Sequence, residues 1–197
     1  MSNNFAARAV WLSSLGLAAV VGAGCASSVD LRTGMGAGPD TPPVVQAPVP
    51  LSAAERDFAT RVATQGFYEV EVSRLATERA VNLDVRAYAQ MMFKHNTQAN
   101  KELVALMSAK GVAPPKGLAA DKKEKLYRLA SLPPSAAFDN GYVRVVGIED
   151  HRTNIAIFER ARREAKDRDL LAWIDRSLLA MRSHLATAQS LAGTLDG

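Results

Sequence analysis

Three histidines and two glutamates carry what chemistry this sequence offers. His95, His151 and His184 are its only histidines. Placed on helices at 100° per residue, each falls on an apolar stripe. His95 sits among Tyr88, Met91, Met92, Ala99, Leu103 and Leu106. His151 shares a face with Ile148, Ile155 and Phe158, and His184 centres the stripe Leu170, Trp173, Ile174, Ser177, Met181, Ala188 and Leu191. Glu69 lies in the middle of Ala54, Phe58, Val62, Val72 and Ala76. A titratable group on a core-facing stripe costs free energy unless something binds it. Imidazole and carboxylate suit Zn, Cu, Fe or Mn, and Glu69, His95, His151 and His184 together make a four-coordinate donor set. Glu102, two turns beyond His95, is a possible fifth donor. The competing expectation is a buried polar layer that sets helix register, with Glu69 accepting from His95 and His151 paired with His184. The Glu-x-x-His pattern of bundle di-iron sites is absent, because Met92, Ile148 and Met181 stand three residues before the histidines. Ser177 lies two turns from His184, and no nucleophile elbow accompanies it. The reading therefore leans away from an enzyme.

The elements that must position these groups are helices. Ser52 caps the first, with Glu55 three residues on as in a capping box, and it runs to about Ala80. Asn82 ends it and caps a second helix from Leu83 to Lys110, which stops at Gly111 before Pro114-Pro115. A link over Val112–Pro134 contains a short helical piece, Leu118–Leu132, with Lys122, Lys123 and Lys125 on its wet face. Ser135 caps a third long helix over Ala136–Lys166, and a fourth spans Arg168–Leu195. No segment alternates with period two for long enough to make a strand. The expected fold is all-α: a four-helix bundle with a short extra helix in its middle connection. Glu69 and His95 each lie 13 residues from Asn82, and His151 and His184 lie 16 residues from Asp167 and Arg168 respectively. In antiparallel hairpins, residues equidistant from the turn share a level. This puts Glu69 opposite His95, His151 opposite His184, and all four in one layer near mid-bundle.

Residues 1–24 read as an export signal. Arg8 precedes an uncharged apolar run of about 16 residues, shorter than the roughly 20 a membrane span needs. The run ends at Gly22-Ala23-Gly24-Cys25, and Cys25 is the only cysteine. This is similar to a bacterial lipoprotein signal, with Cys25 as the lipidated first residue of the mature chain. Ala26 after it suggests an outer-membrane, periplasm-facing address by the same resemblance. Residues 25–50 form a Pro/Gly-rich tether without periodicity, leaving 51–197 for the bundle. The net charge of +4 is mild, and no aromatic residues interleave with a basic stripe, so nucleic acid is not an expected partner. The expected partner is the membrane, through the lipid anchor; a protein partner is not identifiable.

The run GFYEVEVSRLATERAVNLDVRAYAQMMFKHNTQANKEL, then AAFDNGYVRVVGIEDHRTNIAIFE and MRSHL, resembles a bacterial exported family known as domain of unknown function 4142. The resemblance covers about Ser52 to Ala192 and implies a ferritin-like helical bundle. It rests most on Glu69-Val70-Glu71, the His95 segment, Asp150-His151 and His184. Lys94 stands where that family usually has Asp before the histidine. The family brings no established reaction. The expectation is a non-catalytic envelope lipoprotein with a binding or structural role; the alternative is a periplasmic metal-binding or redox protein using the His/Glu layer.

Overall fold

Five helices and no strand make up the described part of the chain, residues 49–196 of a computed structural model. The expected signal, Cys25 and most of the tether lie outside the described residues. No helix among the described residues is long and apolar enough to cross a membrane.

Helix α1 (Ala53–Arg79) begins with the expected capping box: Glu55 N donates to Ser52 Oγ (3.3 Å) and Ser52 N to Glu55 Oε2 (2.8 Å). Helix α2 (Leu83–Ala109) is capped by Asn82, whose Oδ1 accepts from Asp84 N and Val85 N. Its C-terminus closes as a Schellman motif, with Val112 N donating to Met107 O, Gly111 N to Ser108 O, and Gly111 at φ +71°. The short helix in the link is α3 (Ala120–Ala130). Helix α4 spans 136–164. It starts α-helical at Ala136–Gly141 under a Ser135 cap, passes through a π-helical stretch Tyr142–Asp150, and returns to α at His151–Glu164. Helix α5 (Arg168–Leu195) is capped by Asp167.

Four long helices thus enclose the core. α1 pairs with α2 and α4 with α5 as hairpins, α5 also packs on α2, and α3 lies on α1. The apolar core comes in two clusters. One gathers Tyr68, Val72, Tyr88, Met92, Phe138, Tyr142 and Val146 near the α1–α2 turn. The other gathers Phe58, Leu103, Met107, Phe158, Leu170, Trp173 and Ile174 near the α4–α5 turn. Trp173 Nε1 donates to Ala99 O (3.2 Å), tying α5 to α2 between them.

A carboxylate from a different hairpin holds each turn. Asp139 of α4, fully buried, accepts from Val81 N (3.2 Å) and Asn82 N (2.7 Å) in the α1–α2 turn. Glu55 of α1 accepts from Lys166 N (2.8 Å) and Asp167 N (2.9 Å) in the α4–α5 turn. Burial alone would raise the Glu55 pKa, but the hydrogen bonds from Ser52, Asp167 and Lys166 outweigh it and bring it to about 2. Lys110 completes this end by pairing with Asp167 (2.7 Å) and Asp169 (2.8 Å).

Abandoning a buried donor costs roughly 1–3 kcal/mol, so Asp139→Ala should destabilise the fold by at least about 2 kcal/mol. Arg74→Ala, which removes a half-exposed partner of Glu71 and Glu78, should cost under about 1 kcal/mol. Urea unfolding of the two variants checks the contrast; equal losses would refute the role assigned to Asp139.

Candidate functional site

Between the two apolar clusters the chain gathers its polar interior. Glu69 of α1, His95 of α2, His151 of α4 and His184 of α5 all line one cavity of about 90 Å³. The level expected from spacing is therefore the level observed, but the pairings differ. His95 Nδ1 and His184 Nε2 are 2.9 Å apart, one nitrogen donating and the other accepting, with the rings stacked at 5.2 Å. His151 stands edge-on to His184 at 5.6 Å. Glu69 meets no histidine: its Oε1 accepts from Gln65 Nε2 (2.8 Å) and, at a long 3.5 Å, from Asn154 Nδ2. The geometric reason is that α2 also packs on α5, so His95 meets the histidine across that seam rather than its level-mate within the hairpin.

His95 also departs from its expected depth. It is exposed, reaching inward only by its Nδ1 edge. The buried face of α2 runs Val85, Tyr88, Ala89, Met92, Asn100, Leu103 and Met107, rotated from the stripe read in the sequence. Asn96, partly buried, and Asn100, buried, stand on the cavity side instead. Glu102 is not part of the site. Its side chain is 40% exposed and is held by Gln98 (2.8 Å) and Arg176 (3.4 Å) on the surface.

The local backbone explains the placement of His151. A π-helix bonds i to i+5 rather than i+4, and such turns re-aim side chains. The π stretch ends at Asp150, and His151 Nδ1 donates back to Val146 O (2.9 Å). That bond places the proton on Nδ1 and leaves Nε2 with its lone pair. Gly147, in the same stretch, lets α4 approach closely: a Cβ there would meet Ala188 Cβ at 2.7 Å and Tyr88 Oη at 3.2 Å. Gly66 does the same for α1 and α2, since its Cβ would fall 2.5 Å from Asn100 Oδ1.

Several buried atoms find no partner among the described residues: Glu69 Oε2, Asn96 Nδ2, Asn100 Oδ1 and His184 Nδ1. Asp150 Oδ2 is a fifth. Lys125 bonds the other oxygen of Asp150, and Lys122 and Lys125 sit 5.6 and 5.7 Å from the centre of the Tyr68 ring. The expected wet face of α3 therefore loses two of its lysines to this inward cluster.

The electrostatics favour a neutral site. Burial first, and the Asp150 charge second, push Glu69 up to about 8 against the opposing Gln65 hydrogen bond and the Lys125 and Lys122 charges. Burial, with His151 and His95 as neighbours, lowers His184 to about 4. His151 is lowered by burial against its Val146 bond. At pH 7 the interior thus holds a protonated carboxyl and neutral His151 and His184. Neutral imidazoles are the ligating form, yet no group of three or more His, Cys, Asp and Glu among the described residues is gathered to hold a metal ion. The residues that sequence reasoning passed over are Gln65, Gly66, Asn96, Asn100, Asn154 and the Asp150–Lys125 pair. Gln65 was legible as the i−4 neighbour of Glu69, and Asn96 and Asn100 as an i, i+4 pair continuing from Met92.

Sequence comparison places the molecule. The chain belongs to the family described as "Domain of unknown function (DUF4142)". That family's model matches residues 40–191. No curated protein matches the chain. Among solved structures it is similar to a DUF305 fragment from Deinococcus radiodurans, with a TM-score of 0.63 and 15% identity over 74% of this chain and 99% of that one. It is also similar to a putative spore coat protein from Bacillus halodurans C-125, with a TM-score of 0.56 and 14% identity over 74% of this chain and 90% of that one. At these identities the likeness is one of helical fold.

The Glu69 titration has a measurable consequence. Its folded pKa of about 8 lies above the ordinary 4.5, so the folded state holds the extra proton and stability falls as pH rises through that window. His184 acts oppositely, and its contribution is lost as pH falls from 6.5 to about 4. Glu69→Gln should remove the descending limb, making the variant's stability relative to wild type grow between pH 5 and 8.5 by up to ~1.4 kcal/mol per pH unit. Urea unfolding across that range measures it, and a constant difference would refute the buried-acid assignment.

Proposed function

We propose that this DUF4142 chain is a non-catalytic bacterial envelope lipoprotein whose helices form a bundle of the ferritin-like kind and whose working part is the central cavity. Two hairpins joined by a long link support the bundle reading. The apolar run ending at Cys25 supports export, lipidation and an outer-membrane anchor. Radiolabelled palmitate should enter the wild-type chain and not Cys25→Ser; equal labelling would remove the anchor.

The single observation that carries a binding role is that residues lining one cavity from three helices carry buried polar atoms without a partner among the described residues: Glu69 Oε2, Asn100 Oδ1 and His184 Nδ1, on residues 6%, 8% and 4% exposed. Buried polar groups that serve only to set register are normally satisfied within the chain. A cavity of about 90 Å³ suits a ligand of a few non-hydrogen atoms. Native mass spectrometry of the chain purified from its own envelope under gentle conditions should show a small adduct. Gly66→Ala, whose methyl displaces Asn100, should lose it. A bare mass for the wild type would leave the layer purely structural.

A second reading is a transition-metal site, with Zn, Cu, Fe or Mn as candidates. It is favoured by the His151 Nδ1–H bond to Val146 O, the kind of backbone tether that orients ligating imidazoles. Elemental analysis of untagged protein and melting with and without chelator test it. Stoichiometric metal and a lower melting temperature under chelator support it, and metal-free protein indifferent to all four ions refutes it.

A further inference from the structure

The His95–His184 pair is unlike the rest of the layer in one respect: it spans the boundary between solvent and cavity. His184 is 4% exposed and fixed in α5, while His95 is exposed and faces it across the α2–α5 seam. Their facing nitrogens, Nε2 and Nδ1, are 2.9 Å apart. Two nitrogens bound at ~2.0–2.1 Å to one tetrahedral ion stand about 3.3 Å apart. The pair therefore lies a few tenths of an ångström from a bridging geometry, and the exposed ring is the one free to yield. Met91 stands one turn before His95 and Met181 one turn before His184. Both are only partly buried, and they border the two different apolar clusters, so they flank the pair along the bundle with soft thioether sulfur.

We propose that His95 and His184 form a two-imidazole clamp for one late first-row transition-metal ion, loaded from solvent across the α2–α5 seam. This rests on the metal reading above and narrows it. Glu69 and His151 line the same cavity but bond neither ring of the pair, so the ion would take its protein ligands from His95 and His184 alone. Loading conserves protons on the two rings. The N–H that bridges them moves to the far nitrogen of its own ring, and both facing lone pairs turn to the ion. If the bridging proton starts on His184 Nε2, its destination is Nδ1, the atom without a partner among the described residues.

The test is isothermal titration of the untagged mature chain with Zn²⁺ and with Cu²⁺, with circular dichroism confirming each variant's fold and Cu²⁺ electron paramagnetic resonance counting bound nitrogens. Wild type should bind one ion per chain with a two-nitrogen signature. His95→Ala, at an exposed position, should fold and bind over a hundredfold more weakly, whereas Glu69→Gln and His151→Ala, at residues that bond neither ring of the pair, should stay short of the roughly 10–100-fold loss typical of outer-shell partners. Undiminished affinity in His95→Ala overturns the clamp. If Glu69→Gln or His151→Ala alone abolishes binding, the ion sits deeper: the clamp falls and the metal reading stands. If neither ion binds stoichiometrically, the clamp falls, and the four-ion assay above then decides the metal reading.

Discussion

The constraint on which this fold turns is the desolvation of polar groups in a gap between two apolar clusters. Glu69, His151 and His184 sit where the core of one end stops and the core of the other begins. Water would solvate their charged forms far better than this interior does. The chain meets that cost by keeping the site neutral. Glu69 holds its proton because of burial and the Asp150 charge. The two buried imidazoles give theirs up. The π stretch, the Gly66 and Gly147 approaches and the inward asparagines all belong to the same arrangement, because each brings a polar atom or a helix close to that gap.

Much of this was legible in the sequence. Ser52, Asn82 and Ser135 cap their helices as expected, and Asp167, expected only as a turn marker, caps α5. Counting from the turns put the four titratable groups at one level, and they share one cavity. Rotation about the helix axis was less legible. Met91, Met92, Leu103 and Leu106 fit two stripes that differ by a fraction of a turn. The one chosen put His95 inside; the one realised puts Asn96 and Asn100 at the cavity. Asparagine reads as a surface residue, and only the closeness that Gly66 permits makes it an interior one.

Pairing was not legible, for a related reason. Level within a hairpin follows from residue counts, but partnership depends on which helices adjoin. His95 found His184 because α2 and α5 pack together. Glu69 was left to its own turn and to Asn154 of α4. The π-helical register of α4 leaves no mark in composition, yet it decides where His151 aims.

The entry of the chain into the folded domain bears on how it carries load. Leu51 is almost wholly buried, its carbonyl accepts from Arg56 (2.6 Å), and Glu55 one turn on grips the opposite hairpin through Lys166 and Asp167. A pull arriving along residue 50 does not meet a fraying helix end. It meets a clasp that ties the start of α1 to the α4–α5 turn, so strain entering there is shared by both hairpins.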